Sequence, residues 1–380
     1  MKLVRLEAAR ANMRLEEAHN AYSNGQEPRA VELFREAAEL AGQNGNAAAE
    51  QHARRWQGNS LMWSGRYEEA FQVLTQAASY DQPDAAPASV YGAKTDRILL
   101  SLSIASAAVC RDLLHDARAY LDRIGNPEWS HRVEMLEGIL LFRQGEYLRS
   151  AEFTIRAIRL VGRWIGGPAY SRASHVKWVT RPLFYGHQKV KLAEWVAQSS
   201  TPEAALTERC RQGCVRLLAL RMETAAGTDV KNTLRDEART VAALASEMRG
   251  IWDEVFEISR ALMLAGDWEA MERLPIERMN AVPFESALFA ADREINWLRR
   301  KLELPPWDGD LDWPQAAPVA AKDLSAIEPG VQKIRGAFAK LREEASREDQ
   351  RMETTIYTAA TARRLKHVAT LLPGIGCEQS

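Results

Sequence analysis

The residues best placed to do chemistry fall in one run. Between Phe153 and Ala193 the chain carries Arg156, Arg159, Arg163, Arg172, Lys177, Arg181, Lys189 and Lys191, and not one acidic residue. Trp164, Tyr170, Trp178, Phe184 and Tyr185 are interleaved with them, and His175 and His187 lie in the same run. Cations beside aromatic rings suit an acidic peptide, a phosphate group or a single nucleic-acid strand, because the cation pairs with the anion and the ring offers a stacking face. The same composition also suits an internal face. There the cations pair with acidic helices of the same chain and the rings fill core. On the first reading, Arg163, Arg172, Lys177, Arg181, Lys189 and Lys191 are the candidate ligand-binding cations.

Other reactive residues point less far. Cys210 and Cys214 are one helical turn apart, so their sulfurs share a face. Two thiolates can begin a metal site, but no histidine or second cysteine pair lies nearby in sequence, and the expectation is two small core residues. Gly162-Arg163-Trp164-Ile165-Gly166-Gly167-Pro168 lacks phosphate-loop spacing and a preceding strand. The acids Asp310 and Asp312, in the run from Trp307 to Trp313, look more like a short recognition motif than a calcium loop, whose spacing and closing glutamate are missing. Cys377-Glu378-Gln379-Ser380 fits the bare prenylation frame, but its middle residues are not aliphatic, and a frayed tail is expected. No His-Glu-x-x-His, Gly-x-Ser-x-Gly or cluster of catalytic carboxylates occurs, so the sequence predicts no enzyme, no metal and no cofactor.

Composition sets the bounds. The chain has 380 residues, 46% hydrophobic and 27% charged, with a net charge of −1. That is an ordinary soluble composition, and bulk electrostatics favours no nucleic-acid partner, although a local basic patch remains open. Four cysteines without disulfide spacing, and no apolar leader, predict a reducing, cytoplasmic setting. No uninterrupted apolar run is long enough to span a membrane.

The elements that position these residues are announced by glycine. Gly58 and Gly65 are seven apart and are followed by Tyr67, Ala70, Leu74 and Ala77. Gly138 and Gly145 repeat the spacing, followed by Tyr147, Ser150, Thr154 and Ala157. Ala18, Gly25, Ala30, Phe34 and Ala37 form a third copy. Weaker copies occur near Ala117 and Leu121 and at Gly266-Asp267-Trp268-Glu269-Ala270. The first small residue lets one helix approach its partner, the second glycine ends that helix in the left-handed region, and the ladder then lines the inner face of the next helix.

This ladder resembles the tetratricopeptide repeat, a helix-turn-helix unit of about 34 residues. The resemblance is good over residues 11–44, 51–84 and 131–164, although Gly25 to Gly65 spans 40 positions rather than 34. It implies an all-α fold, a right-handed superhelical solenoid of antiparallel helix pairs. Residues 1–164 read as the repeats, and 165–300 as divergent helices opening with the basic aromatic segment. Residues 301–329 read as a proline-rich linker or strap, and 330–380 as a helical pair that caps the array. Helix starts are expected at Thr201-Pro202-Glu203 and at Asp229.

The resemblance also implies a function. Arrays of this family bind a partner protein or peptide in a groove lined by the first helix of each unit. The positions that match are His52, Arg55, Asn59, Met62 and Trp63, with Asn12, Leu15, His19 and Tyr22 one unit earlier. A cation and an asparagine at the positions of Arg55 and Asn59 serve a carboxylate clamp in some members; the next unit offers Leu99 and Ser103 where further cations belong. The expectation is a non-catalytic scaffold or adaptor, with the alternative of a ligand-gated regulator that binds a peptide, a phosphate-rich ligand or RNA through residues 153–193.

Overall fold

A computed structural model describes residues 2–24, 26–80, 86–161, 172–199, 206–247, 252–274, 283–311 and 328–372. Among them are seventeen α-helices, one short 3-10 turn and no strand, so the fold is all-α. None of these helices is long and apolar enough to cross a membrane. The chain divides into two compact units, Met1–Leu140 with Arg159–Trp164, and Leu141–Ile158 with Ile165–Ser380.

Unit 1 holds α1 (Lys2–Ser23), α2 (Glu27–Gln43), α3 (Ala47–Trp63), α4 (Tyr67–Ala78), α5 (Pro87–Ile104), α6 (Ala107–Ile124) and most of α7 (Ser130–Arg143). From α1 to α6, each helix packs on its sequence neighbour. The glycine ladder explains how. A Cβ at Gly58 would lie 2.6 Å from Leu74 Cγ, so only glycine lets α3 approach α4 this closely. Gly65 has φ +79°, the left-handed turn that ends α3. Ala70, Leu74 and Ala77 are then fully buried, as are Ala30 and Phe34 in α2 and Ala117 in α6. Side-chain caps fix two helix starts: Asn46 accepts from the Ala49 amide at 3.1 Å, and Ser106 from the Val109 amide at 3.4 Å.

Unit 2 holds α8 (Tyr147–Val161, through Ile158), α9 (Arg172–Tyr185), α10 (Lys189–Ser199), α11 (Leu206–Ala225), α12 (Lys231–Ser246), α13 (Trp252–Ala265), α14 (Trp268–Glu272), α15 (Pro283–Lys301), α16 (Glu328–Met352) and α17 (Ile356–Leu371). The ladder persists, with Gly145 at φ +82° and Ser150, Thr154 and Ala157 fully buried. Gly266 at φ +75° ends α13, and the helix after it is only five residues long. The basic run becomes helical too, with Pro182 near the end of α9, where losing one backbone bond interrupts little. α12 starts two residues after Asp229, with no side-chain cap on its first amides.

Three apolar clusters organise unit 2, one of them built on Val179, Leu183, Phe184 and Leu218 of α9 and α11. Leu217, Val241, Ile258 and Phe289 belong to the cluster of α11, α12, α13 and α15, and Ile295, Phe338, Leu341 and Val368 to that of α15, α16 and α17. Between α15 and α16 the chain forms a docked strap over residues 304–311. Asn296 both donates to the Trp307 carbonyl (3.0 Å) and accepts from its amide (2.7 Å). Arg299 Nε donates to the Pro305 carbonyl at 2.7 Å, and the Trp307 ring stacks on His367 at 4.1 Å and 5°. Gly25, Arg163, Trp164, Tyr170, Thr201–Glu203, Asp312, Trp313 and Cys377–Ser380 lie outside the described residues; of Arg172 only the backbone is described.

Candidate functional site

Unit 2 encloses a cavity of about 270 Å³. The end of α7 supplies Phe142 and Arg143, and the start of α8 supplies Tyr147. Trp178, Arg181 and Tyr185 come from α9, with His187 just beyond it. Phe256 and Arg260 come from α13, Phe284 and Leu288 from α15, Asp310 from the strap, and Tyr357, Ala360, Arg363 and Arg364 from α17. Glu285 and Glu348 complete the acidic part of the lining.

The rings are packed edge and face. Phe142 meets Tyr185 edge-on at 5.5 Å, Tyr147 stacks on Tyr185 at 5.7 Å, and Phe284 meets Tyr357 edge-on at 4.7 Å. Such pairs hold one another in fixed rotamers, which makes the wall rigid. The Tyr357 hydroxyl donates to the Arg143 carbonyl at 2.9 Å, and Gln144 Nε2 to the Met352 carbonyl at 3.1 Å. These bonds tie the end of α7 to the α16–α17 turn and set the width of the cavity.

Beneath the rings is a dry network of charge. Arg221 of α11, with no exposed side-chain surface, pairs with Asp308 (2.9 Å), Asp310 (3.2 Å) and Glu257. Arg364 pairs with Asp292 (2.6 Å) and Asp310 (2.9 Å), and Arg260 with Asp310 (3.1 Å). Burial drives the Asp310 carboxyl up, but Arg260, Arg364 and Arg221 more than reverse it and hold it well below the usual carboxylate range. Burial likewise disfavours charged Arg221, and Asp308, Glu257 and Asp310 overcome it, so both ions persist. Arg260 also donates to the Tyr185 hydroxyl at 3.3 Å. Burial raises that phenol far above its ordinary value, with Asp310 adding to the effect, so Tyr185 stays protonated.

Above this floor the cavity keeps unspent donors. Among the described residues the Tyr147 hydroxyl, the Trp178 indole N–H and the His187 ring make no hydrogen bond, and Arg363 has no acidic partner. The Arg363 guanidinium makes only one long bond, 3.5 Å, to the Asp310 carbonyl. Burial, with Asp310 adding to it, pushes the Tyr147 phenol up to about 12, so it donates at neutral pH.

The expected groove residues lie in unit 1 and are engaged with one another. Arg55 is held by buried Asp96 at 2.8 Å, a carboxylate shared with Arg132 at 2.7 Å. Asn59 Oδ1 accepts from both the Tyr22 hydroxyl (3.0 Å) and the Trp63 indole (2.9 Å). His19 lies edge-on to Phe34 (5.0 Å) and Trp56 (5.1 Å), with the His52 ring 5.7 Å away. Met62 is buried, and Trp63 is 40% exposed.

In the basic run, Lys177 meets Glu254 at 3.0 Å and Arg181 meets Glu257 at 3.4 Å, so these two cations face acids of α13. Lys189 and Lys191 are exposed. Cys210 and Cys214 are buried on α11. The hydrogen bond that the Cys214 thiol shares with Cys210, and the loss of solvent, raise that thiol well above its ordinary value. Among the described residues no group of three or more His, Cys, Asp or Glu side chains could hold a metal ion.

The sequence pattern gives Arg221, Arg260, Arg363 and Arg364 no place in a site, and it reads the acids around Asp310 as a short recognition motif. The signal of two of these arginines is faint: Arg221 interrupts the otherwise apolar Leu217–Met222, and Arg260 sits beside Ser259 in the largely apolar Ile258–Leu264. No protein-family model matches the chain, and no curated protein matches it.

Proposed function

We propose that this chain is a non-catalytic regulator: a solenoid of tetratricopeptide-like helix pairs, capped by α16 and α17, that recognises a ligand in the unit 2 cavity. The cavity itself carries the reading. It is a partly open hollow of about 270 Å³, near the small end of the roughly 300–1,000 Å³ typical of small-molecule sites, walled by aromatic rings and with a few hydrogen-bond donors on its lining. Among the described residues no nucleophile–base pair lines it, whereas packed walls and spare donors are what recognition needs. A ligand held there stabilises unit 2 by mass action, since it binds the folded state and not the unfolded one. The test is a thermal-melt screen of a chemically diverse fragment set against the wild type and Ala360→Trp, whose indole fills the cavity. Fragments that raise the melting temperature of wild type should lose that effect in the variant. Equal shifts in both proteins would remove the cavity as the site.

A second reading is favoured by one observation in unit 1. Asn59 spends its carbonyl oxygen on Tyr22 and Trp63, which leaves its NH₂ unspent among the described residues beside the partly exposed Trp63 ring. An amide donor next to an exposed indole suits the backbone and an apolar side chain of a partner peptide, as the scaffold reading requires. Asn59→Ala with Trp63→Ala should weaken capture of that partner. Undiminished capture of every partner by the double variant would discard this docking face.

A further inference from the structure

The unspent groups in the unit 2 cavity are not balanced, and the imbalance names a ligand. We infer that the cavity takes a small aromatic anion, a flat ring system bearing one carboxylate. The inference rests on the cavity being the ligand site and concerns what enters it.

Three observations carry it. The first is the wall: Phe142, Tyr147 and Tyr185 form a mutually packed ring cluster, and Phe284 and Tyr357 an edge-to-face pair. Faces and edges of this kind favour a flat, polarisable guest over a branched aliphatic one. The second is the donor set. Tyr147 Oη and Trp178 Nε1 can each give a hydrogen bond, and Arg363 brings a positive charge that no acid among the described residues neutralises. Two neutral donors and one guanidinium match the two oxygens of a carboxylate. The third is the state of two acids on the same wall. Asp310 is already shared by Arg221, Arg260 and Arg364, and Glu348 lies 3.6 Å from Arg143 and bonds Arg351. A cationic guest would have to compete with those arginines, whereas an anion meets Arg363 without displacing anything.

The size agrees. At about 270 Å³ the cavity holds one or two fused rings and a short acid arm. Glu285 also lines the wall, so a cationic analogue is the necessary control.

The experiment uses three acids of increasing ring size, benzoate, 2-naphthoate and indole-3-acetate. Each is titrated calorimetrically into the full chain beside its neutral amide and its amine. At least one acid should bind about tenfold more tightly than its amide and its amine, a difference of about 1.4 kcal/mol. Arg363→Gln, at an exposed position, should remove that preference by bringing the acid's affinity down to about that of its amide. Ala360→Trp should abolish binding of all members of that series. An amide or amine that binds as tightly as its acid overturns the anion and leaves the cavity as a site. An acid preference that survives Arg363→Gln also overturns the inference. Failure of all nine compounds, together with a fragment screen in which Ala360→Trp changes nothing, removes both the anion and the cavity.

Discussion

Arg221 and Asp308 meet through two parallel hydrogen bonds, Nε to Oδ2 at 2.9 Å and Nη2 to Oδ1 at 3.1 Å, although 87 positions separate them in the chain. The fork of the guanidinium matches the carboxylate, and neither side chain reaches solvent. Asp308 also accepts the Asp310 amide at 3.0 Å, so the pair fixes the strap as well as the charge.

Asp308→Asn should therefore cost about 3–5 kcal/mol in a urea melt, because it leaves Arg221 buried with less compensation. Glu69→Gln makes the contrast. Its pair with Arg66 is solvent-screened, and the change should leave the melt essentially unshifted. Equal losses in the two variants would contradict the account of the network.

Gly58 and Gly65 should fail for different reasons. Gly58→Ala forces a methyl group against Leu74 and should cost about 1–3 kcal/mol by overpacking. Gly65→Ala meets nothing within 4 Å and should cost about 1–2 kcal/mol from its left-handed backbone. Adding Leu74→Ala should partly relieve the first variant and leave the second unrelieved, which a double-mutant cycle would read directly.

Acid should weaken the fold well before the carboxylates titrate. Burial, with His19 and Arg55 nearby, lowers His52 to about 4, and burial with Arg299 nearby lowers His367 to about 4, from 6.5. Between those values the unfolded chain binds the proton and the folded chain does not. Stability is thus fully present above about 6.5 and declines as pH falls toward 4. Each histidine should contribute about 1 kcal/mol of loss between pH 7 and 5, after allowance for its solvent-facing edge. Denaturant melts of His52→Gln and His367→Gln across this range should each be flatter than wild type; a slope unchanged in both would refute the assignment.

The buried thiols should be silent. Cys110, Cys210 and Cys214 are at most 4% exposed, and Cys214 resists ionisation, so the attacking thiolate is absent. Mass spectrometry after brief native alkylation should find these three unmodified, and all three modified once denaturant is added. Native labelling at Cys210 or Cys214 would show that α11 is open.

These predictions also mark what the sequence discloses. The ladder of Ala70, Leu74 and Ala77 was legible because small residues at helical spacing report a contact between adjacent helices, and the chain keeps that contact local. Gly58 and Gly65 could be given separate tasks for the same reason. The cavity was not legible. Its floor pairs Arg221 with Asp308 and Arg364 with Asp292 across 87 and 72 positions, and no spacing rule spans such distances. The basic run left two futures open for Lys177 and Arg181. Their partners, Glu254 and Glu257, lie 77 and 76 positions away and belong to the internal one. Aspartates beside a glycine ordinarily mean a solvated turn, and only the depth of Asp308 and Asp310 reverses that reading.

The distance between Arg221 and Asp308 also sets a schedule for birth of the chain. At about 5–20 residues per second, the ribosome releases Asp308 roughly 4–17 s after Arg221. Until then α11 carries a cation with Glu257 alone to offset it, 36 positions on, and Arg364 arrives later still. The early helices can pair as they emerge, whereas the C-terminal unit must stay hydrated and open until its final helix is made. A stalled or truncated nascent chain would thus present a finished first half and a second half held ajar, the form that a chaperone would meet.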